Sequence, residues 1–288
     1  MKRLFLILSI LCMLGLSAEA EEFRILTTFY PMYILTQNVA GGIDGVTVSN
    51  MAEQTVGCLH DYTLQTRDMV MLEEADALVI NGGGMEQFMD RVASTQAGLP
   101  VIDASQGIEM QASIEEGLLN AHVWLDPQMA IVQVKNIAEG LAGADPAHAD
   151  RYREQAEAYI GRLRDLDAEM AEALTPLAGK EIITFHEAFN YLAQRYGLVV
   201  AGVIANEPGE EPSTRQIAET CDLVSRLGIG TLFTEPQYPQ TAAKIISGET
   251  GASIYVLDPC VSGSGLPESY EQIQRENARI LREALLSD

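Results

Sequence analysis

Apolar residues fall along this chain in two alternating patterns. Short runs rich in β-branched and aliphatic residues occur at 23–29, 46–49, 77–80 and 100–103. Stretches with helical spacing lie between and after them, notably at 66–75, 86–93 and 127–140. The second half repeats the scheme, with strand-like runs at 181–185, 198–204, 231–234 and 253–257 and helical patterns near 214–227 and 270–285. Strand and helix alternating in this way predict mainly parallel sheets with helices on both faces. Ser213 followed three residues on by Gln216 is the pattern of a capping box at a helix start.

The stretch between the halves reads differently. Asp145-Pro146 has the form of an N-cap followed by a first-turn proline. Tyr152, Ala156, Tyr159, Leu163, Leu166, Met170 and Leu174 then recur every three or four residues, which places them on one helix face. Pro176 and Gly179 end the pattern. A helix of roughly 30 residues, about 45 Å long, is predicted here. The organisation expected is therefore an α/β protein of two lobes, 21–144 and 178–288, joined by one long rigid helix at 145–177. Residues 1–20 precede this fold. Lys2 and Arg3 form a basic head, an apolar run follows to Leu16, and Ala18-Glu19-Ala20 matches an A-x-A cleavage signal. The run is too short to span a membrane. Export with cleavage after Ala20 is expected, a lipid anchor at Cys12 being the alternative. Either way the protein is expected in the periplasm or on the extracytoplasmic surface.

Charge narrows the partners. The formal balance is −23, and loss of Lys2, Arg3 and Glu19 with the leader makes it one unit more negative. That argues against nucleic acid and anionic lipid, which need basic patches. Beyond the leader, Cys58, Cys221 and Cys260 make an odd set, so this is not a disulfide scaffold.

The residues able to bind a ligand are few. Of four histidines, His60 follows the second strand-like run, His122 precedes a helical pattern, and His186 follows the run at 181–185. Asp258 follows the run at 253–257. Open α/β sheets bind ligands at the carboxyl ends of their strands, where His186 and Asp258 are expected. Asp126 before Pro127 reads as a helix cap, and His148 as a solvated surface residue. Spacing alone does not show that the other three histidines converge.

The order Gly-x-x-His-x-Tyr (57–62), His-x-Trp-Leu-Asp-Pro (122–127) and Phe-His-x-Ala-Phe-x-Tyr-x-x-x-x-Tyr-Gly-Leu (185–198) resembles the zinc and manganese solute-binding proteins of ABC importers. The segments Asn81-Gly82-Gly83-Gly84-Met85-Glu86, Phe233-Thr234-Glu235-Pro236-Gln237 and Leu257-Asp258-Pro259 extend the likeness over nearly all of 23–285. The resemblance implies a metal in the cleft between two lobes, held by His60, His122, His186 and Asp258. It also implies a membrane permease and its ATPase as partners, with the binding protein acting as a monomer. Zinc members carry His at the third position and manganese members Glu, so His186 points to zinc rather than manganese. Three imidazoles and one carboxylate can close a tetrahedral zinc site. Glu235 is a candidate to orient one of the imidazoles.

The chain departs from the family pattern in places. Leu59 stands where proline is usual, and 109–121 lacks a His-rich loop. Cys58 and Cys260 each lie two residues from an implied ligand. If His60 and Asp258 share one ion, these cysteines come near the Cα separation of a disulfide, about 4.4–6.8 Å. A cysteine ligand and two unrelated thiols are the alternatives. Among other classes, a zinc hydrolase would use three histidines and water. His186-Glu187 lacks the second histidine of a helical metalloprotease, and no Gly-x-Ser-x-Gly elbow occurs. Gly82-Gly83-Gly84 does not have dinucleotide-loop spacing. A metal-dependent adhesin is the remaining non-enzymatic rival.

Overall fold

The computed structural model describes residues 22–53, 59, 62–204, 212–237 and 239–286. The proposed leader with Cys12 and Ala20, together with Cys58 and His60, lies outside the described residues. The N-terminal lobe runs β1 (Phe23–Thr27), α1 (Tyr30–Ala40), β2 (Val46–Asn50), α2 (Thr66–Glu74), β3 (Ala77–Ile80), α3 (Met89–Thr95) and β4 (Val101–Asp103). Then come α4 (Pro127–Ala144) and α5 (Ala149–Leu174). The C-terminal lobe runs β5 (Glu181–Thr184), α6 (Asn190–Tyr196), β6 (Val199–Val203), α7 (Thr214–Leu227), β7 (Thr231–Thr234), α8 (Thr241–Thr250), β8 (Ser253–Val256) and α9 (Ser269–Leu286).

Each lobe holds a four-stranded sheet, ordered β2-β1-β3-β4 in one and β6-β5-β7-β8 in the other. Neighbouring strands in both sheets pair in parallel. The order explains the sequence pattern. β3 and β7 are central, and every residue of both is buried. Strands covered on both faces read as continuous apolar runs instead of alternating ones. The edge strands β6 and β8 are partly exposed along their length.

α5 extends for 26 residues, about 39 Å at 1.5 Å per residue. Its seven periodic apolar residues, Tyr152 to Leu174, are all buried. They pack on α1, α4 and α9, so one helix is built into both lobes. A single apolar cluster runs from Ile25 and Phe29 through Trp124 and Leu163 to Phe189, Leu257 and Tyr270. The lobes therefore share a core and are not beads on a hinge.

The start of α5 differs from expectation. Asp145-Pro146 does not open it, because Asp145 closes α4 with its N–H on the Leu141 carbonyl at 2.8 Å. The Asp145 carboxylate accepts the Tyr152 hydroxyl at 2.7 Å and faces His148 Nδ1 at 2.7 Å. His148 is thus a half-buried partner of Asp145 and not a freely solvated residue. The two other cap readings hold. Asp126 Oδ1 accepts the Gln128 N–H at 2.8 Å, and Ser213 and Gln216 form the reciprocal capping box of α7. Among the described residues no helix is long and apolar enough to cross a membrane.

Candidate metal centre

In the C-terminal sheet the chain moves outward in one direction from β5 to β6 and in the other from β7 to β8. The crevice beyond the carboxyl ends of β5 and β7 is the topological switch point, where such sheets hold ligands. His186 and Glu235 stand there, just past Thr184 and Thr234. Both are buried, with His186 Nδ1 3.5 Å from Glu235 Oε1. The His186 backbone is pinned by the Thr184 hydroxyl, which donates to its carbonyl at 2.8 Å.

His122 reaches the same crevice from the other lobe, on the segment between β4 and α4. Its ring lies edge-on to that of His186, with centroids 4.5 Å apart and planes at 85°. Trp124 flanks it at 5.2 Å. His122 is buried, and Asn120 Oδ1 accepts its backbone N–H at 3.0 Å and lies 2.9 Å from its ring Nδ1. Behind this segment, Asn81 Nδ2 donates to the Ala121 carbonyl at 2.9 Å. Asn81 opens the triple-glycine turn, in which Gly82, Gly83 and Gly84 all have positive φ. A Cβ on Gly82 would collide with Asp103 and Ser105, so the turn admits only glycine there.

Asp258 follows β8. Asn277 of α9 grips its backbone on both sides, accepting its N–H at 2.9 Å and donating to its carbonyl at 2.8 Å. Asp258 Oδ1 accepts the Cys260 N–H at 2.8 Å. Burial pushes the Asp258 carboxyl up to about 6, against the Cys260 hydrogen bond and with help from the nearby Glu235 charge. A half-buried carboxylate poised in this way favours a cation beside it. Cys260 is a buried free thiol in the left-handed region at φ 60°.

The structure thus brings His122, His186 and Glu235 together, with the Asp258 carboxylate close enough to Glu235 to feel its charge. Among the described residues no three His, Cys, Asp or Glu side chains stand in metal-holding geometry. His60, the fourth implied ligand, lies outside the described residues, as does Cys58. Leu59, in place of the usual proline, is fully buried in the shared core. Its carbonyl accepts the Tyr62 N–H at 3.0 Å, and the Tyr62 hydroxyl donates to Asp68 at 2.7 Å. Leu59 and Tyr62, the described residues on either side of positions 60 and 61, are therefore both anchored.

Two residues of the crevice escaped the sequence reading, Asn120 and Glu187. The Glu187 carboxylate accepts the Ser113 hydroxyl at 2.6 Å and the Ile114 N–H at 2.8 Å, and its carbonyl accepts Asn120 Nδ2 at 2.9 Å. The one available signal was Asn120 itself, a lone amide in the otherwise apolar stretch before His122.

Comparison with known proteins places the chain in a family and agrees with the fold. The family model described as zinc-uptake complex component A, periplasmic, matches residues 25–284. The zinc-binding lipoprotein AdcA of Streptococcus pneumoniae (strain ATCC BAA-255 / R6) is 29% identical over 311 residues, covering 98% of this chain and 61% of AdcA. This chain accordingly spans less than two thirds of that relative's length. The high-affinity zinc uptake system protein ZnuA of Bacillus subtilis (strain 168) is 27% identical, covering 93% of this chain and 89% of ZnuA. The structure of the solute-binding protein FpvC of Pseudomonas aeruginosa in complex with Mn2+ superposes with a TM-score of 0.82. It is 31% identical and covers 92% of this chain and 99% of FpvC.

Proposed function

The chain belongs to the family of periplasmic zinc-uptake component A proteins, and from that premise we propose that it captures one zinc ion outside the cytoplasm. It passes the ion to the membrane permease of an ABC importer, driven by that importer's ATPase. The ion is cargo, held by His60, His122, His186 and Asp258, with Glu235 orienting His186 from behind. The observation that carries this reading is the meeting of two buried imidazoles, one from each lobe, 4.5 Å apart at a sheet switch point. Zinc takes imidazole nitrogen and carboxylate oxygen in tetrahedral sets, whereas harder ions prefer oxygen-rich sites. A fourth protein ligand at Asp258 closes the coordination sphere and leaves no position for a reactive water, so the protein binds without catalysing. It works as a monomer, since each chain supplies all four ligands.

Native mass spectrometry of the purified protein, with and without chelator, tests the assignment. One zinc per chain is expected, and it should be lost in the His122→Ala, His186→Ala double variant. Full retention of zinc by that variant would rule the site out.

A further inference from the structure

Asn120 is buried and uses both ends of its side chain. Its Oδ1 accepts the His122 backbone N–H at 3.0 Å and meets His122 Nδ1 at 2.9 Å, while its Nδ2 donates to the Glu187 carbonyl at 2.9 Å. These contacts fix the chemistry. A backbone N–H can only donate, so the atom it meets is the amide oxygen and not the amide nitrogen. A carbonyl oxygen can only accept, so the ring nitrogen beside it must carry a hydrogen. His122 is therefore held as the Nδ1–H form, with the lone pair on Nε2, the atom available to a metal.

The other end of the amide reaches the opposite lobe. Glu187 directly follows His186, and its backbone carbonyl is the acceptor. Two further contacts hold this junction: the Tyr191 hydroxyl donates to the Asn120 carbonyl at 2.6 Å and accepts the Gln111 N–H at 2.9 Å. A residue serving only to close the loop at 111–121 would need its backbone contacts and nothing from the His122 ring. Here one side chain fixes the tautomer of one imidazole and the backbone beside the other.

We propose that Asn120 is a positioning residue for metal capture, presenting His122 through Nε2 and keeping that ring in register with His186 across the cleft. The inference rests on the reading of both histidines as metal donors. Its test combines long-range 1H–15N NMR of the His122 ring in metal-free protein with zinc titration against a competing chelator. The wild-type ring should show hydrogen on Nδ1. Asn120→Ala should lose that pattern and about 10- to 100-fold in zinc affinity, the usual effect of removing a partner that orients a ligand. Asn120→Asp keeps an acceptor for the ring but no donor for Glu187. It should restore the Nδ1–H pattern and recover part of the affinity.

A wild-type ring with no hydrogen on Nδ1 overturns the proposal, whether or not the variants fold. So does an Asn120→Ala protein with unchanged ring pattern and affinity, or an Asn120→Asp protein no better than Asn120→Ala on either measure. In these cases wild-type zinc binding leaves the donor reading standing. A wild type that binds no zinc at all removes the donor reading and this inference together.

Discussion

Trp124 is the only tryptophan in the chain, and it joins the two lobes beside the crevice. Its indole N–H donates to the Pro259 carbonyl at 2.8 Å, its own carbonyl accepts the Tyr270 hydroxyl at 2.6 Å, and its ring meets Phe29 edge-on at 5.2 Å. Trp124→Phe keeps the backbone bond and an aromatic ring but deletes the indole N–H. The buried Pro259 carbonyl then loses its donor, which costs about 1–3 kcal/mol. A ring smaller by roughly 40 Å³ adds about 1 kcal/mol at about 24 cal/mol per Å³ of cavity. Together the loss is about 3 kcal/mol, equivalent to roughly 6–12 °C in melting temperature for a domain of this size.

The readout for stability is a urea transition followed by circular dichroism, since the variant has no tryptophan to fluoresce. A second readout is zinc affinity. Pro259 follows Asp258, so freeing its carbonyl should loosen the carboxylate and weaken zinc binding as well as the fold. A destabilisation below about 0.5 kcal/mol, the range of neutral surface changes, would refute the bridging role of the indole. Lost stability with unchanged zinc affinity would separate Trp124 from the crevice.

Burial pushes the Glu86 carboxyl up to about 7, against hydrogen bonds from the Asn81 N–H, the Thr28 hydroxyl and the Gly82 N–H. A carboxyl raised in the folded state lends stability that is complete below about 4.5 and lost as pH rises through about 7, up to about 3 kcal/mol. Urea midpoints at pH 4.5, 6 and 7.5 should therefore show wild type losing ground to Glu86→Gln as pH rises, and a constant difference would contradict the shift. His186→Glu exchanges a nitrogen donor for a hard oxygen, so competition titrations should show zinc losing preference relative to manganese. An unchanged ratio would mean that position 186 does not select the metal. Finally, spin labels at exposed Val70 on α2 and Leu227 on α7 should report lobe separations that differ by less than about 2 Å between metal-free and loaded protein. A larger change would show that the lobes part.

The elements most legible in the sequence are those whose local chemistry agrees with their burial. The bounds of β7 are legible because a strand buried on both faces has no reason to alternate, and the existence and buried face of α5, though not its start, because its stripe faces a continuous core. The caps at Asp126 and Ser213 were legible for the same reason: side chain and backbone partner are three residues apart or fewer. Asp145 misleads because its place is decided by the preceding helix, which its N–H closes on the Leu141 carbonyl, and an Asp-Pro cap pattern carries no trace of where that helix ends. The approach of His122 to His186 depends on how the segment after β4 crosses to the other lobe. Spacing could nominate both residues but could not join them. Asn120 and Glu187 are a further step removed, since their roles come from hydrogen bonds that form only once the lobes meet: Asn120 holds the His122 ring and backbone and reaches the Glu187 carbonyl beside His186.

A fixed lobe arrangement follows from what crosses the cleft. Trp124 donates to Pro259, Tyr270 to the Trp124 carbonyl, and Gln274 Nε2 to the Leu125 carbonyl at 3.1 Å. On the other side of the crevice Ser113, Ile114 and Asn120 all donate to Glu187, and Tyr191 donates to Asn120. At about 1 kcal/mol net for each bond, this set alone is worth on the order of 5–8 kcal/mol. Each 1.4 kcal/mol is a factor of ten, so fully parted lobes would be populated in fewer than about one molecule in a thousand. Separating them would also expose the apolar cluster that runs from Phe29 through Trp124 to Tyr270. A metal ion entering the proposed site should therefore meet side chains and short segments that shift locally, while α5 and the shared core keep the two sheets where they are.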